Sequence, residues 1–466
     1  MVTKIKRDKN DLYSWPIIGF IFKNKKFIDG LRIVVFALFA YAIFFGFFYP
    51  AEENIFTAAL FWSLFWPFFL VLTLPTFGRL FCGICPHGFM GKYLTKIGRK
   101  KKLPKSLENP LIGVITLLIV YWFMIYSFPG FYRNGLYSAI FFFTLTLIAA
   151  FFYFNYRDMS YCKTLCPIGA VTRSLSKVSF TWLSTYEDSC SSCKTFDCAK
   201  ACTYNQQPFN FNKNNSMADC TLCMDCASSC EAVKYEVKKP AFSLFKPLKR
   251  AKSFEIWTYI FIIAAATFAM QLHHSLGRSA IFANLPWVKA GVALKEIFPT
   301  ASIDFVGFSA YLLSLILALL FGAGGLFIAS KILKADFKSV FENLGYALAP
   351  IMIIGALSHI LSFFFYHYYS DLVNGFNQAF FTGFEMVEPL ATRRDAWVRI
   401  FGVLPYIAVI FSFVIMVKRM KFESASLGQK ILAFPFAWGI GALYLSMLVF
   451  KIYVFATYGM AMHHGH

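Results

Sequence analysis

Charged side chains are scarce in this sequence. Only 15% of the 466 residues are charged, whereas a soluble domain usually carries about a quarter. Acidic residues are scarcer still, with 24 Asp and Glu against 45 Lys and Arg, which gives a formal net charge of +21. Hydrophobic residues make up 58% of the chain, which excludes a disordered protein and argues against an ordinary soluble one. Basic loops on an apolar chain are typical of a membrane protein with one cationic face.

Several familiar motifs are missing as well. The sequence contains no Walker loop, dinucleotide fingerprint or hydrolase elbow, and we expect no general-base or nucleophilic catalysis. Its basic segments lack the interleaved aromatic residues and fold motifs of nucleic-acid binding, so we expect no nucleic-acid partner. The first 30 residues show no short apolar run before a small-residue cleavage site, which predicts that the first span is a permanent anchor.

Long apolar runs predict an all-α polytopic membrane protein in contact with lipid. A helix needs about 20 mostly apolar residues to cross the hydrocarbon core of a bilayer. Nine stretches qualify, and they are Ile33–Tyr49, Ile55–Phe77, Pro110–Phe128, Leu136–Phe154, Ile256–Leu272, Phe305–Ala329, Leu344–Tyr366, Ile400–Val417 and Ile431–Phe450. Lys and Arg concentrate in the loops that a cytoplasmic N-terminus would place inside. An odd number of spans then places the C-terminus on the periplasmic side.

The same patterns divide the chain into five parts. A basic cytoplasmic N-terminus covers residues 1–27, and a four-helix membrane core covers residues 28–180. An inserted cytoplasmic α+β domain resembling a two-cluster ferredoxin follows at residues 181–250. A membrane domain of about five helices covers residues 251–458. Residues 459–466 form a tail rich in His and Met.

All twelve cysteines lie between residues 82 and 230, and eight of them fall in the polar segment after the fourth span. These eight form the runs Cys190-x2-Cys193-x4-Cys198-x3-Cys202 and Cys220-x2-Cys223-x2-Cys226-x3-Cys230. In two-cluster ferredoxins the fourth cysteine of each run binds the other cluster. The predicted ligands of the first 4Fe–4S cluster are therefore Cys190, Cys193, Cys198 and Cys230. Those of the second 4Fe–4S cluster are Cys220, Cys223, Cys226 and Cys202.

Zinc is the alternative for these eight thiols, since two four-cysteine zinc sites would use all of them. Zinc ribbons normally separate two Cys-x2-Cys pairs by a longer gap, so the tight runs favour iron–sulfur clusters. Disulfides are not expected on a reducing cytoplasmic face. The runs depart from the ferredoxin pattern in two ways. The first run has a four-residue gap, and Thr203 and Glu231 stand where proline usually follows the fourth cysteine.

The first four spans form two similar hairpins, each ending in a cysteine–proline step. The two motifs read Cys82-Gly83-Ile84-Cys85-Pro86-His87-Gly88 and Cys162-Lys163-Thr164-Leu165-Cys166-Pro167-Ile168-Gly169. Their similarity predicts an internal duplication that brings both cysteine pairs together at the cytoplasmic membrane surface. Three uses of these four thiols remain open: a third iron–sulfur cluster, a redox-active dithiol or transient metal site, and thiols that merely pack.

These features resemble the membrane polyferredoxin family over about residues 28–255. Two hairpins with Cys-x2/3-Cys-Pro motifs precede a two-cluster ferredoxin domain, and Cys166-Pro167-Ile168-Gly169-Ala170 matches a recurring family motif. The family includes the quinol-oxidising membrane subunit of periplasmic nitrate reduction, the membrane flavoprotein that feeds nitrous oxide reductase, and a maturation factor of copper–haem oxidases. The resemblance implies an iron–sulfur electron carrier of the bacterial inner membrane that works with other respiratory or maturation subunits.

Histidines mark candidate sites away from the cysteines. His359 and His367 could contact haem b or a quinone head group or relay protons, and a hydrogen bond to a neighbouring helix is the plain alternative. The tail combines methionine with His463, His464 and His466. Thioether and imidazole ligands together suit copper, which predicts an outer-face metal site.

We therefore expect a redox subunit rather than a stand-alone catalyst. It would pass single electrons between a quinol or cytoplasmic donor and a respiratory or periplasmic acceptor. The alternative function is an assembly factor that reduces or delivers a metal such as copper for a respiratory oxidase or reductase. The methionine–histidine tail and the family resemblance motivate this alternative.

Overall fold

Seven helices in the computed structural model are long and apolar enough to cross a membrane. The structure describes residues 5–72, 79–128, 130–175, 177, 179–393 and 395–460. Within these residues the seven helices are Lys25–Phe48, Gly135–Asn155, Ser253–Arg278, Phe305–Leu333, Phe337–Ala379, Ala396–Met420 and Gly439–Tyr458. The protein is mainly helical and has the spans of a multi-pass membrane protein, as the apolar runs predicted.

Three of the nine predicted spans look different in the structure. The apolar helices Ile55–Phe65 and Leu111–Ser127 are shorter than the seven long ones, and residues 73–78 lie outside the described residues. The last predicted span divides at Trp438, which separates two helices. Pro435 lies within the first of these two helices, where a proline ring removes a hydrogen bond and disturbs the preceding turn. The number of nine spans therefore stays a prediction.

The helices that lead to the two cysteine–proline motifs begin in the same way, after Asn54 and Asn134. Each asparagine side-chain oxygen accepts a hydrogen bond from the backbone N–H three residues further on, at 3.0 Å in both cases. This contact satisfies a donor that the helix start leaves unpaired. Helix Lys25–Phe48 of the first hairpin also packs closely on helix Gly135–Asn155 of the second, since a Cβ added at Gly46 would lie 2.5 Å from the Cβ of Ala139. The equivalent capping supports the similarity of the two hairpins.

Two short strands, β1 (Thr181–Thr185) and β2 (Val233–Val237), pair in antiparallel fashion with Leu183 opposite Tyr235. β1 precedes the first cysteine run and β2 follows the second run. The sheet therefore joins the two ends of the eight-cysteine segment and closes it into a small α+β element.

The N-terminal segment adds to this sheet through Asp11, which forms a bridge with β2. The fully buried carboxylate of Asp11 accepts hydrogen bonds from the backbone N–H groups of Tyr13 at 3.0 Å and Tyr235 at 3.2 Å. It also accepts one from the Tyr186 hydroxyl at 3.0 Å, and Arg7 forms an ion pair with it at 2.8 Å. The sequence analysis treated this segment only as a basic terminus, so its structural role was missed.

The chain forms two compact units. Unit 1 comprises residues 1–113, 132–250 and 363–395 and contains all twelve cysteines. Unit 2 comprises residues 114–131, 251–362 and 396–466. The helix Phe337–Ala379 contributes to both units because the boundary falls within it.

Replacing Asp11 by Ala should lower the free energy of unfolding by about 3 kcal/mol, because it leaves buried donors and a cation without their acceptor. Denaturant unfolding of the detergent-solubilised protein measures this change. The matched control is Asp8→Ala, since the Asp8 side chain is 55% exposed and its loss should cost less than about 0.5 kcal/mol. Equal destabilisation by both variants would contradict the structural role given to Asp11.

Candidate functional site

Four thiols of the eight-cysteine segment form a group that we call the distal set. Its members are Cys190, Cys193, Cys198 and Cys230. Burial raises the pKa of the Cys190 thiol, and the neighbouring Cys230 and Cys193 raise it further. Burial and the other three thiols of the set raise the pKa of Cys198 to about 12. These thiols therefore lie within electrostatic reach of one another, and the structure brings together the ligands predicted for the first cluster.

The four-residue gap in the first run forms a tight turn around Cys193. Phe196 adopts a left-handed conformation with φ of 52°. The backbone N–H groups of Phe196 and Thr195 hydrogen-bond the Cys193 thiol and lower its pKa. The residues on both sides of Cys193 are exposed. The distal set therefore reaches the surface of unit 1.

A second group, the proximal set, consists of Cys202, Cys220, Cys223 and Cys226 and lines a single cavity. The cavity is partly open to solvent. Burial raises the pKa of Cys223 to about 11, with Asp225 adding to the shift. Burial and the other thiols of the set likewise raise the pKa of Cys226. The ligands predicted for the second cluster thus share one enclosed space.

The backbone around Cys223 directs N–H groups toward the proximal thiols. Leu222 and Met224 flank Cys223 with φ of 54° and 62°, a conformation that is uncommon for residues other than glycine. The N–H of Leu222 donates to the Sγ of Cys220 at 3.4 Å. Hydrogen bonds of this kind stabilise a thiolate and tune the potential of a cluster that it holds.

The remaining four cysteines form a third group, the membrane set, with one pair from each hairpin. Its members are Cys82, Cys85, Cys162 and Cys166. Burial raises the pKa of Cys85 to about 12, and Cys162 and Cys82 add to the shift. Burial also raises the pKa of Cys166, again with contributions from the other three thiols. The two hairpins therefore bring their cysteine pairs together.

Each cysteine–proline step places a thiol at the start of a helix. Cys85 and Cys166 stand immediately before the prolines that begin the helices Pro86–Ile97 and Pro167–Leu175. Proline suits the first helical position because the N–H that it lacks has no intrahelical partner there. The N–H of Gly169 donates to the Sγ of Cys166 at 3.2 Å. These helix starts carry partial positive charge, which favours thiolates.

Hydroxyl groups also approach the membrane set. The Oη of Tyr153 lies 2.8 Å from the Sγ of Cys162, and the Tyr204 hydroxyl forms a second hydrogen bond to the same thiol. The Oγ1 of Thr172 lies 3.2 Å from the Sγ of Cys82. Hydroxyl groups therefore lie within hydrogen-bond distance of two of the four thiols in this set.

Two buried arginines lie beside the membrane set and the proximal set. Arg79 is 2% exposed, and its guanidinium lies 3.7 Å from the Sγ of Cys82. Arg32 is 3% exposed, and it donates to the backbone oxygens of Gly83 at 2.9 Å and Cys223 at 2.7 Å. Arg32 thus ties the loop of the membrane set to the loop of the proximal set, and both cations can offset thiolate charge.

The proximal set shares neighbouring residues with both of the other sets. Tyr204 lines the proximal cavity and also hydrogen-bonds Cys162 of the membrane set. Cys202 and Cys162 pack against the same buried aromatic cluster. On the other side, Cys198 of the distal set and Cys226 of the proximal set belong to one buried core. The proximal set is therefore linked to the other two through buried residues.

Burial raises the pKa of most of these thiols. The thiolate is the metal-binding form, and burial alone keeps a thiol protonated, so metal binding would release protons. All twelve cysteines are described, and none forms a disulfide. Among the described residues, no three His, Cys, Asp or Glu side chains are arranged to hold a single metal ion. Groups of four thiolates suit iron–sulfur clusters, which spread their ligands over several irons.

The candidate haem, quinone and metal histidines belong to none of the three thiol sets. His359 belongs to unit 2 and His367 to unit 1, and the His367 ring lies 5.4 Å from that of Phe363. The tail histidines His463, His464 and His466 lie outside the described residues. The haem, quinone and outer-face metal sites therefore stay predictions.

Sequence reasoning missed four side chains that contact the sets, namely Arg32, Arg79, Tyr153 and Tyr204. Tyr204 stands two residues after Cys202, and Arg79 stands three residues before Cys82, so proximity to a motif was a usable signal for these two. Arg32 and Tyr153 come from helices that precede their motifs. Only the folded chain brings these two to the thiols.

A sequence profile of the 4Fe-4S binding domain matches the chain in two segments, residues 58–104 and 136–184. An uncharacterized protein of Methanocaldococcus jannaschii is 31% identical over 183 residues, which cover 35% of this chain and 72% of that protein. The chain belongs to the 4Fe-4S binding-domain family. Each matched segment of the 4Fe-4S domain contains one cysteine–proline step, as an internal duplication predicts. The matches include all four thiols of the membrane set and end before the eight-cysteine segment.

Two further relatives are similar over a smaller share of their length. A second uncharacterized protein of Methanocaldococcus jannaschii is 27% identical over 165 residues, 33% of this chain and 62% of that protein. The Escherichia coli protein YccM, provisionally described as an electron transport protein, is 26% identical over 232 residues, 43% of this chain and 62% of YccM. The similarity therefore spans less than two thirds of these two proteins. No solved structure matches the chain significantly.

Gly169 and Gly88 occupy equivalent positions in the two motifs, but neighbouring atoms lie much closer to Gly169. A Cβ at Gly169 would lie 2.6 Å from the backbone oxygen of Cys162, whereas the nearest atom at Gly88 is the backbone oxygen of Cys82 at 3.4 Å. Gly169→Ala should therefore displace the second motif, destabilise the protein by about 1–3 kcal/mol and lower its iron content. Gly88→Ala is the matched control and should stay near wild type. Thermal midpoints and iron per chain measure both effects, and equal loss in the two variants would contradict the geometry.

Proposed function

We propose that this protein is a membrane-bound iron–sulfur electron-transfer protein. One observation carries the proposal: three sets of four thiols lie within unit 1, and the proximal set shares neighbouring residues with each of the other two. The 4Fe-4S binding domain and the similarity to YccM support the same function. The protein would pass electrons between a quinol or cytoplasmic donor and a respiratory or periplasmic acceptor.

Each thiol set would hold one 4Fe–4S cluster, which supplies one-electron redox chemistry when bound. For the distal and proximal sets this assignment follows the shared ligand pattern of two-cluster ferredoxins. For the membrane set it rests on the 4Fe-4S domain match, which covers these four thiols. That match favours a cluster over a redox dithiol at the membrane set.

The protein's own residues order the sets and compensate their charge. Electron transfer slows steeply with distance, so the shared buried cores between neighbouring sets favour a continuous route. Backbone N–H groups, the Tyr153 and Tyr204 hydroxyls and the buried Arg79 stabilise negative sulfur. The exposed surroundings of Cys193 make the distal set accessible to a soluble partner.

The sidedness of the protein belongs to this proposal. We infer a location in the cytoplasmic membrane, with the N-terminus and the distal and proximal sets on the cytoplasmic side, because Lys and Arg concentrate in the loops on that side. The partners would be lipid, the quinone pool or a cytoplasmic donor, and other respiratory subunits. The methionine–histidine tail that motivates metal delivery lies outside the described residues, so no structural observation favours that alternative.

The purified protein should contain about twelve irons and about twelve acid-labile sulfides per chain, since each 4Fe–4S cluster has four of each. Cys198→Ser, Cys226→Ser and Cys166→Ser each remove a ligand from a different set. Each should lower the iron content by about four and remove one signal from the low-temperature EPR spectrum of the reduced protein. Ser191→Ala, an exposed neighbour of Cys190, is the control and should keep the full complement.

Two results would count against the proposal. About eight irons per chain would exclude a cluster at the membrane set. In that case Cys166→Ser would not lower the iron content. Zinc without iron or sulfide in freshly purified protein would overturn the electron-transfer function as a whole.

Tyr153→Phe removes the hydroxyl that lies 2.8 Å from the Sγ of Cys162. It should lower the reduction potential assigned to the membrane set, because hydrogen bonds to ligating sulfur stabilise the reduced, more negative state. An EPR-monitored redox titration measures the shift. Tyr156→Phe, whose ring packs 5.5 Å from that of Phe152, is the matched control and should leave all potentials unchanged. An identical titration for both variants would refute the role given to Tyr153.

A further inference from the structure

Helix Ser253–Arg278 is the most enclosed long helix of unit 2. In its most apolar stretch 72% of the residues are buried, compared with 33% for Phe305–Leu333 and 39% for Gly439–Tyr458. Despite this burial it carries polar side chains at a spacing of four residues or a multiple of four. They are Glu255, Tyr259, Thr267 and Gln271. A buried helix of a membrane protein normally carries apolar residues at such positions. We call these four side chains the polar row, and their burial needs an explanation.

The helix geometry keeps these positions on one face. The segments Ile263–Phe268 and Met270–Ser275 are π-helical. An α turn holds slightly fewer than four residues, and a π turn holds slightly more. Where both kinds of turn occur in one helix, residues four positions apart therefore stay on the same face.

Glu255 lies at one end of the polar row and is fully buried. Its carboxylate accepts a hydrogen bond from the Tyr346 hydroxyl. The Tyr259 ring lies 5.9 Å from the Tyr346 ring, and the guanidinium of Arg419 lies 5.7 Å from the centre of that same ring. A carboxylate enclosed in this way can hold a proton or a negative charge, and such residues in membrane proteins commonly belong to proton relays.

A second polar site lies further along the helix, where Tyr444 hydrogen-bonds the Gln271 side chain. The Oγ1 of Thr267 and the Oε1 of Gln271 are buried and have no hydrogen-bond partner among the described residues. Gly355 leaves space beside them, since a Cβ there would lie 3.4 Å from the Oη of Tyr444 and 3.7 Å from the Oγ1 of Thr267. Buried polar atoms of this kind are usually satisfied by ordered water.

Water must bridge the apolar stretch between the two sites for a proton to pass. Tyr259 and Thr267 are eight residues apart, about 12 Å at the rise of an α-helix. Ile263 lies between them and begins the first π-helical segment. Irregular turns allow water to insert into the backbone hydrogen-bond ladder, which supplies polar groups where side chains are apolar.

We propose that unit 2 conducts protons across the membrane along helix Ser253–Arg278. A proton would bind the Glu255 carboxylate at one end and pass through the hydroxyls of Tyr259, Thr267 and Tyr444 and the water that bridges them, while the Gln271 amide holds the Tyr444 hydroxyl in place. Each hydroxyl or water that receives a proton releases another, so none of them changes its net protonation. His273 follows near the other end of the helix, where its ring lies 5.9 Å from that of Tyr126, and imidazole can exchange the proton with water.

Purified protein in liposomes with a trapped pH-sensitive dye tests this proposal under an imposed potassium diffusion potential. Wild-type vesicles should change their internal pH several-fold faster than protein-free vesicles. Glu255→Gln and Gln271→Leu should reduce the rate to that of protein-free vesicles, and Tyr444→Phe, which removes only a hydroxyl, should reduce it partly. The matched control is Thr258→Val on the same helix, because the Thr258 hydroxyl already donates to the Phe254 oxygen at 2.7 Å. This variant should conduct like wild type.

A variant whose iron content and elution volume equal those of wild type has folded. If Glu255→Gln or Gln271→Leu misfolds, Tyr444→Phe still tests the proposal because it removes only one hydroxyl. Wild-type vesicles no faster than protein-free ones would overturn the proposal, as would equal rates in all variants. The proposed path contains no cysteine. Its failure would therefore leave the electron-transfer proposal intact, and loss of the clusters would leave this proton path intact.

Discussion

Burial of negatively charged sulfur is the constraint on which unit 1 depends. A buried charge without compensation costs several kcal/mol, and unit 1 encloses three sets of thiols that bind metal only as thiolates. Groups close to each thiol offset this cost. Helix starts lie at Cys85 and Cys166, hydroxyls at Cys162, and a buried guanidinium at Cys82. The same compensation would favour reduction of the bound clusters, so stability and redox function depend on the same contacts.

The two cysteine motifs differ in sequence but share one feature, a proline that starts a helix immediately after the second cysteine. In the second motif Gly169 also allows close approach to the backbone of Cys162. The 4Fe-4S domain matches both segments, and the duplicated hairpins supply two thiols each. The proximal loop then packs on the first motif, where a Cβ at Gly83 would lie 2.6 Å from the backbone oxygen of Leu222. Close backbone packing at this point shortens the route between sets.

The sequence predicted what local spacing determines and missed what distant packing determines. Ferredoxin spacing was enough to group Cys190 with Cys230, because ligand order along the chain is fixed by the cluster. The contacts of Asp11 and Arg32 could not be predicted, since each joins residues about two hundred positions apart. The predicted ninth span consists of two helices that meet at Trp438. Apolar composition does not show where a helix ends within an apolar run, so the sequence did not reveal this division. Whether each thiol set holds a cluster stays a prediction.

The central claim is that three neighbouring clusters form one electron route. The most direct test is low-temperature EPR of the fully reduced protein, because unpaired spins on neighbouring clusters split and broaden each other's signals. The account predicts an interacting spectrum in wild type, which simplifies to separate signals when Cys226→Ser removes the middle cluster. Sharp, independent signals in the fully reduced wild-type protein would contradict a continuous route.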